Sequence, residues 1–501
     1  LVEFEMPIEF DLFIERPMFL TVNGYAYCRG SYRFSWRLLW LIPKILHVYV
    51  NVVPKLLRNL KIQWEDEALP TYLNTIKQWR AVDLVSASNA QLLAGLRSLS
   101  VADAVYWFTV SMMVAAAKVT DGLLNRFVTS RWVPGHLTSG MFLRGFPSMT
   151  MNAQIDLEAI ARRVQKTESL RTLLQNSSVS ELLETLRQDP HGQVITSDID
   201  RYLERYGHQV YNLDFSEPTL IEDPTAVLLA LRALVMSEAF DTPTQQAAIA
   251  KKRDLLIEET LGSLGPLRRW LFRRFLGWAQ RFGPCREEAL FYMGAAWTTL
   301  RRLALELGRR LVAVGTLIRP EDVFYLDAKE LEEACAERDK VRAGPDLKQL
   351  TEQRMKLRDA RMKLHAPGII PEGSRWKMGP FDMSVWETQK RNAGDAEKLN
   401  GFAVSPGKVT GVATVILTPA DFDQMKPDTI LVCPTTTPAW TPLFAQARGL
   451  VTDIGGILAH GSIVAREYGI PAVLGTGNGT RRIANGQQIV VDGDAGTVTL
   501  V

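Results

Sequence analysis

Two different spacings of apolar residues divide the chain into a long helical region and a shorter region of mixed strands and helices. From about residue 34 to residue 364, apolar residues recur mostly three and four positions apart, as in Thr225–Ser237 and Gln245–Leu261. This spacing predicts helices with one buried face. The same helical spacing occurs over Arg286–Val314, and a short extended element is expected at Pro320–Leu326.

Three apolar stretches of the helical region bear on membrane insertion. Trp40–Leu57 is interrupted by prolines and charged residues, and Ala104–Ala117 is shorter than the about 20 residues that a spanning helix needs. Ser100–Asp103 has the spacing of a capping box and predicts that a buried core helix begins there. Leu267–Phe282 predicts a basic amphipathic helix with a packed apolar side, the alternative being contact with lipid or an acidic partner. We expect no membrane span.

Beyond the helical region the pattern changes. Prolines and glycines cluster between Pro367 and Pro380, which is typical of a linker. Strand-like alternation follows, and helical spacing returns at Pro442–Ala447 and His460–Tyr468. The predicted strands are Val404–Leu417, Thr429–Val432, Gly449–Ile454, Pro471–Leu474, Gln488–Val491 and Gly496–Leu500.

These patterns predict a multidomain chain. A large, mostly α-helical domain would occupy residues 1–364, a linker residues 365–400, and a small α/β domain residues 401–501. About a hundred residues is a normal size for an independent domain. A short strand or two is also expected around Met18–Tyr27.

Composition and charge narrow the classes of function. Of the 501 residues, 47% are hydrophobic and 23% are charged, which is the balance of an ordinary globular protein. The net charge of +3 gives no support for a nucleic-acid partner. The four cysteines are scattered, which indicates neither a disulfide framework nor a metal site. We expect no metal bound by this chain and a reduced, cytoplasmic setting.

One histidine stands in a stretch that suits a phosphate group. The stretch GGILAHGSIVAREYGIPAVLG begins with Gly455 and Gly456, and it places His460 at the start of a predicted helix. Free N–H groups and the helix dipole favour phosphate at such a terminus. The two glycines let the backbone come close because they lack a Cβ atom. Ser462 and the amides of Gly461–Ile463 are predicted to contact the phosphate.

Histidine can carry a phosphoryl group because the neutral imidazole is a nucleophile near pH 7. A helix N-terminus disfavours the imidazolium form and therefore helps to keep the ring of His460 neutral. Catalysis would then rest mostly on positioning and electrostatics. The alternative is a structural histidine in a domain that has kept its shape and lost its reaction.

These motifs resemble a known family. The stretch around His460 strongly resembles the phosphohistidine swivelling domain of phosphoenolpyruvate synthase and pyruvate phosphate dikinase. The similarity is greatest to the rifampin (rifampicin) phosphotransferase branch, and it extends upstream through PAWTPLF at Pro438–Phe444. The helical region resembles the antibiotic-binding domain of that branch at Arg205–His208 and from Arg286 through LELGRRLVAVGTLIRPEDVFYL. The resemblance implies that His460 is the phosphohistidine.

The resemblance also suggests roles in the helical region. Arg286, Arg301 and Arg302 are candidates for contacts with the transferring phosphoryl group, since a guanidinium group fits phosphate oxygens. The alternative is that they form ion pairs on solvated helix faces. His208 is a candidate base toward an acceptor hydroxyl, or else a loop histidine bonded to the backbone.

Two departures from the family pattern concern the acceptor chemistry. An Asp usually stands directly before PAWTP, whereas this chain has Thr437, to which we assign no role. After His208 the family usually continues Arg-Gly-Pro-Gly-Glu, whereas this chain continues through Gln209–Asp214 with other residues. The altered loop predicts a different acceptor or a different reaction.

The resemblance implies an ATP-dependent phosphotransferase component. Family members carry an ATP-grasp domain, which binds ATP and Mg²⁺ and loads the histidine, so no cofactor is expected on this chain alone. We expect that domain as a separate subunit, as in the split phenylphosphate synthases that the chain also resembles, or in a part of the polypeptide outside this sequence. The third possibility is that the chain works without it.

Several outcomes of the reaction remain open. The large apolar helical region suggests a bulky or aromatic acceptor whose hydroxyl receives the phosphoryl group from His460. A variant is ATP-driven dehydration or ligation through a phosphorylated substrate, as in the prodigiosin-ligase relatives. A non-catalytic scaffold or binding subunit with a relic swivelling domain is the hypothesis from another class.

Overall fold

The computed structural model describes residues 15–22, 25–31, 59–135, 137–211, 214–236, 241–339, 345–364, 377–378, 381–382, 389, 397–456 and 459–501. The predicted linker at 365–400 and the stretch Trp40–Leu57 lie almost wholly outside these residues. The chain divides into two compact units, which we call the first unit (Leu1–Thr109 with Thr299–Glu387) and the second unit (Val110–Thr298 with Thr388–Val501).

The first unit combines a strand pair with helices. Strands β1 (Glu15–Val22) and β2 (Tyr25–Ser31) pair in antiparallel fashion, as the pattern around Met18–Tyr27 predicts. The helices are α1 (Leu69–Arg80), the first half of α2 (Asn89–Val128), most of α10 (Trp297–Ala313), α11 (Ala328–Asp339) and α12 (Lys348–Met362). The short pair β3 (Lys377–Met378) and β4 (Phe381–Asp382) completes this unit among the described residues.

Helix α2 begins well before the predicted capping box, so that prediction is wrong. The hydroxyl of Ser88 accepts a hydrogen bond from the N–H of Gln91 at 3.1 Å and caps the helix. Leu92 and Leu99 are fully buried on one face upstream of the predicted start. Asp103 does not cap a helix but accepts a hydrogen bond from the hydroxyl of Tyr72 at 2.5 Å.

The stretch Ala104–Ala117 is therefore only part of a 40-residue helix. Within the described part of the chain, α2 is the one helix long and apolar enough to cross a membrane, with a mean hydropathy of 1.5 over its most apolar window. Only 28% of that window is buried, and Val101 and Phe108 are exposed. Helix α2 is therefore buried along one face, and the prediction of a buried core helix holds for that face only.

The helical spacing over Arg286–Val314 is divided between two helices, because α9 (Pro266–Phe291) ends before a turn in which Gly294 has φ +80° and α10 then begins. One further local prediction is wrong. Pro320–Tyr325 is a 3₁₀ helix instead of an extended element. Its start is stabilised by Asp322, which accepts a hydrogen bond from the N–H of Arg319 at 2.9 Å.

The second unit contains the helices that face the C-terminal domain. In chain order they are the second half of α2, α3 (Met149–Gln165), α4 (Glu168–Asn176), α5 (Val179–Gln188), α6 (Gly192–Tyr206), α7 (Thr225–Met236), α8 (Thr242–Ser263) and α9. Helix α6 runs through the polar stretch Ser197–Asp200, where buried Asp198 pairs with Arg163 and Arg201. Apolar residues at helical spacing, such as Ile195, fill the buried face.

The C-terminal region is the predicted small α/β domain. Its strands are β5 (Lys398–Asn400), β6 (Phe402–Ser405), β7 (Lys408–Val415), β8 (Thr429–Cys433), β9 (Ala447–Thr452), β10 (Ala472–Leu474), β11 (Gln488–Asp492) and β12 (Thr497–Leu500). Helices α13 (Thr441–Phe444), α14 (His460–Tyr468) and α15 (Gly479–Arg482) connect them. The strand order is β5-β12-β11-β7-β8-β9-β10-β6, with β7 through β10 parallel and the remaining neighbours antiparallel. A large, mostly helical region followed by a small α/β domain is thus confirmed.

The α/β domain and the helices of the second unit share one apolar core. Leu157 and Leu231 come from the helices, and Leu431, Trp440 and Leu450 come from the α/β domain. All five side chains are at least nine-tenths buried. Burial of this kind stabilises the contact between the two regions by about 25 cal/mol for each Å² of apolar surface removed from water.

Candidate active site around His460

The site forms where parallel strands β8 and β9 end. The carboxyl ends of parallel strands meet at one edge of a sheet, so the loops that follow them lie side by side. The N–H of Ile454 donates to the carbonyl of Pro434 at 2.9 Å, which joins the two loops. A Cβ atom on Gly461 would lie only 2.6 Å from Oγ1 of Thr436, so glycine is required for this close approach.

His460 is the first residue of helix α14. Ala459 precedes the helix, and its methyl group provides no side-chain cap, which leaves the first N–H groups for another acceptor. Gly455 has φ +154°, and a Cβ atom there would lie 2.9 Å from a methyl carbon of Leu474. The glycine-rich loop therefore needs glycine at this position. Residues 457–458 lie outside the described residues.

Ser462 supports the loop through its hydroxyl, which donates to the carbonyl of Gly456 at 2.5 Å. The N–H groups of Ser462 and Ile463 both donate to the carbonyl of Ala459. By helix geometry, the N–H groups of His460 and Gly461 have no acceptor within the helix. Among the described residues no acceptor lies opposite these two N–H groups, so they, more than the amides of Ser462 and Ile463 or the Ser462 side chain, are placed for an anion.

The ring of His460 is enclosed by two other elements. Its Nε2 lies 3.3 Å from the hydroxyl oxygen of Thr441 at the start of α13, and its Nδ1 lies 3.9 Å from Oε2 of Glu287 on α9. The side chain is only 9% exposed. Burial, reinforced by the nearby Arg286 guanidinium, lowers the pKa of His460 from 6.5 to about 3. The ring is therefore neutral at pH 7, and its contact with Glu287 is not an ion pair.

Positive and negative side chains lie behind the ring. Arg286 is buried and pairs with Glu287 at 3.2 Å. Arg466, on the same helix as His460, donates to the carbonyl of Ser462 at 3.0 Å. Burial, together with Arg286, lowers the pKa of Lys118 on α2. These cations would favour a negatively charged group at the site.

Burial makes the carboxyl groups of the site harder to ionise. Burial raises the pKa values of Asp121 and Glu287, although nearby arginines act in the opposite direction. Burial also raises the pKa of Glu467 to about 7. These carboxylates, with Arg286 and Arg466, line a cavity of about 40 Å³. In the part of the chain that the structure describes, no group of three or more His, Cys, Asp or Glu side chains is arranged to hold a metal ion.

The structure separates the arginines that the sequence singled out. Arg286 lies in the second unit beside His460, whereas Arg301 and Arg302 belong to the first unit. The Arg301 guanidinium lies over the ring of Phe324, 4.6 Å from its centre. Arg302 donates to two backbone carbonyls of the first unit. Their proposed contact with phosphate stays a prediction.

His208 lies in the loop after α6 and is engaged by α9. Its Nε2 lies 2.9 Å from the carbonyl oxygen of Phe291, which can only accept, so Nε2 carries the proton. The ring stacks on Tyr292 at 6.0 Å, and burial lowers its pKa. The backbone contact is the alternative that the sequence left open, and Nδ1 keeps its lone pair.

Thr441, Glu287, Arg466 and Lys118 were not predicted as members of the site. Thr441 and Glu287 stand inside the motifs PAWTP and Arg-Glu that already carried the resemblance, so their motif membership was an available signal. No sequence pattern connects Lys118 with His460. Only the packing of α2 against α9 brings it there.

Comparison with known proteins agrees with this geometry. Residues 425–496 match the family model described as PEP-utilising enzyme, mobile domain, and residues 106–287 match the model described as rifampicin phosphotransferase fourth domain. The α/β domain is thus a mobile domain of the PEP-utilising enzymes. The chain is similar to the rifampicin phosphotransferases at about 30% identity.

Individual relatives show how much of each protein the chain represents. The rifampicin phosphotransferase of Bacillus cereus is 28% identical over 90% of this chain and 48% of its own length. The uncharacterised phosphotransferase YvkC of Bacillus subtilis is 30% identical over 68% of this chain and 40% of its own length. The prodigiosin synthesizing transferase PigC of Serratia marcescens is 30% identical over 70% of this chain and 39% of its own length. The chain therefore spans less than half of each of these relatives.

Proposed function

We propose that the chain is a component of an ATP-dependent phosphotransferase in which His460 carries a phosphoryl group to a hydroxyl of an organic acceptor bound by the helical region. The observation that supports this most is the state of the ring. It is neutral, it begins a helix, and its Nε2 faces the Thr441 hydroxyl with Arg286 nearby. A structural histidine needs none of these features together.

The first step uses Nε2 of His460 as the nucleophile. The Glu287 carboxylate near Nδ1 favours the tautomer with its proton on Nδ1, which leaves the lone pair on Nε2. This lone pair forms the P–N bond while the donor's P–O bond breaks, and the electron pair leaves with the donor oxygen. The N–H groups at the start of α14 would then donate hydrogen bonds to the phosphoryl oxygens.

The second step transfers the phosphoryl group to the acceptor. The acceptor oxygen forms a bond to phosphorus, the P–N bond breaks, and the electron pair returns to Nε2. Arg286 is placed to neutralise the equatorial oxygens. The proton of the acceptor hydroxyl goes to a base beside the attacking oxygen. His208 stays the candidate for this base because its Nδ1 keeps a lone pair, whereas Glu287 lies on the Nδ1 side of the His460 ring, away from the group on Nε2.

The phosphoryl donor is part of the proposal. An ATP-grasp domain or subunit would bind ATP and Mg²⁺ and supply the phosphoryl group. Because His460 is nearly buried, the α/β domain must move away from α9 to be loaded, which agrees with the mobile-domain family of residues 425–496. We also propose a bulky or aromatic acceptor and a cytoplasmic location.

The test is incubation of the chain and its ATP-grasp part with ³²P-labelled ATP. We expect protein-bound label that survives alkali and is lost in acid. The variant His460→Gln should carry no label, whereas the matched control His208→Gln should still be labelled. Label that persists in His460→Gln would refute the proposal, as would AMP formation without label on the wild-type chain.

The relative named prodigiosin synthesizing transferase gives a reason to examine a second outcome. Phosphorylation could activate the acceptor for ligation or dehydration, and the final product would then lack phosphorus. Mass analysis of the acceptor after one turnover separates the two outcomes. Full biological activity of His460→Gln would favour a scaffold over both.

A further inference from the structure

Thr437 lies in the loop between β8 and α13, at the position where the resembled family usually has an Asp. Its hydroxyl lies 2.6 Å from the carbonyl oxygen of Val210 and 3.2 Å from that of Tyr211. Both carbonyls belong to the loop that follows α6 in the helical part of the second unit. Since carbonyl oxygens only accept, the Thr437 hydroxyl is the donor.

Trp440 makes a second contact to the same carbonyl pair. Its indole N–H donates to the carbonyl of Tyr211 at 3.0 Å. The ring of Phe422 packs edge-on against both Trp440 and Tyr211, with centroids 4.8 and 5.4 Å away. The α/β domain therefore binds this loop through two hydrogen-bond donors and an aromatic cluster.

The loop that contains Val210 and Tyr211 is itself bonded to the helical region. Val210 forms a β-bridge with Thr219, and the Tyr211 hydroxyl donates to the carbonyl of Asp223 at 2.8 Å. A donor that binds these carbonyls is therefore held against a firmly anchored segment. The bond is formed only when the α/β domain packs on the helices.

We propose that Thr437 is a positioning residue that, with Trp440, holds the α/β domain in the closed position, in which Glu287 of α9 lies against the ring of His460. Its importance for phosphoryl transfer rests on the proposed function above. The closed position can be tested without any phosphoryl donor. The proposed role of Thr437 and the proposed phosphotransferase function can therefore be refuted separately.

The chemistry of the position explains why threonine differs from the family's usual residue. An ionised Asp has only acceptor oxygens and cannot donate to the carbonyls of Val210 and Tyr211. Its negative charge would instead be repelled by them. The hydroxyl of Thr437 therefore makes this chain favour the closed position more than a chain with Asp would.

The test measures how often His460 becomes exposed. Diethyl pyrocarbonate modifies unprotonated imidazole that reaches solvent, and peptide mass spectrometry reports the rate at each histidine. We expect Thr437→Val and Thr437→Asp to raise the rate at His460 about tenfold, the effect of losing one part-buried hydrogen bond between the α/β domain and the loop. Thr437→Ser keeps the hydroxyl and should stay within about twofold of wild type.

Matched controls separate positioning from general damage. Thr435→Val changes an exposed threonine of the same loop and should leave the rate at His460 unchanged. The exposed His191 should react equally in every variant, and circular dichroism should show the same helix content. NMR titration of His460 should give a higher pKa in Thr437→Val than in wild type. Equal rates and equal titration in wild type, Thr437→Val and Thr437→Asp would overturn the proposal.

Discussion

Acidification should destabilise the second unit through the ring of His460. The pKa of this side chain is about 3 in the folded protein and has its ordinary value of 6.5 in the unfolded chain, so the unfolded chain binds the proton more readily. Stability from the neutral ring is present above pH 6.5 and is lost as the pH falls toward 3. The difference of 6.5 − 3 = 3.5 pKa units corresponds to about 5 kcal/mol at most.

Over the narrower interval between pH 7.5 and pH 5, the loss in the free energy of unfolding is smaller. Between pH 7.5 and pH 5 the same pKa values predict that folding loses about 2 kcal/mol from His460. Glu467 acts in the opposite direction, because burial raises its pKa from 4.5 to about 7. Protonation of Glu467 therefore adds about 2 kcal/mol to the free energy of unfolding over the same interval. The wild-type protein can therefore show little net pH dependence from these two groups, and only a variant reveals each one.

The assay is urea unfolding of wild type and His460→Gln at both pH values, followed by tryptophan fluorescence. Glu467 is present in both proteins, so its contribution cancels in the comparison. We expect His460→Gln to gain about 2 kcal/mol relative to wild type when the pH falls from 7.5 to 5. If the stability difference between the two proteins is the same at both pH values, His460 is not held neutral by burial, and the reasoning is refuted.

Three further changes test the fold and the site. Glu467→Gln should be more stable than wild type at pH 8, where the buried carboxyl is ionised, and nearly equal at pH 5; thermal melting at the two pH values measures this. Gly493→Ala places a Cβ atom 1.9 Å from the carbonyl oxygen of Ser405 and should lower the melting temperature strongly. Its control, Gly277→Ala, meets open space inside α9 and should stabilise by up to about 1 kcal/mol. Leu431→Ala removes a fully buried side chain and should cost about 2–5 kcal/mol in chemical unfolding, whereas a change below about 1 kcal/mol would contradict the shared core.

The sequence predicted the α/β domain well because its signals are local. Alternating apolar residues between glycine and proline breaks identify strands such as Thr429–Cys433, and helical spacing identifies His460–Tyr468. The predicted strand Val404–Leu417 is two strands, since Gly407 turns the chain at φ +112°. That turn was visible in the sequence only as a Pro-Gly pair.

The helical region shows where local signals fail. Ser100–Asp103 has the residues of a capping box, yet the helix continues through it because Leu92 and Leu99 are buried on one face and Asp103 accepts a hydrogen bond from the Tyr72 hydroxyl. The break between α9 and α10 rests on one glycine in a segment whose apolar spacing is otherwise continuous. Tertiary partners decide such cases, and a single sequence does not reveal them.

The residues of the site, like the elements of the fold, could be predicted only where they belong to local motifs. The sequence identified His460 and Arg286 through motifs, and both lie in the cluster. The enclosing contacts of the ring, from Thr441 and Glu287, depend on how α13 and α9 pack against the start of α14. The donor role of Thr437 likewise became visible only when its loop was seen against Val210.

We propose above that Nε2 of His460 is the atom that carries the phosphoryl group. Phosphorus–proton correlation NMR of the chain, after reaction with ATP and the ATP-grasp part, identifies the phosphorylated atom directly. We predict a single phosphohistidine signal with phosphorus on Nε2, absent from His460→Gln. Phosphorus on Nδ1, on another histidine or on a serine would contradict it.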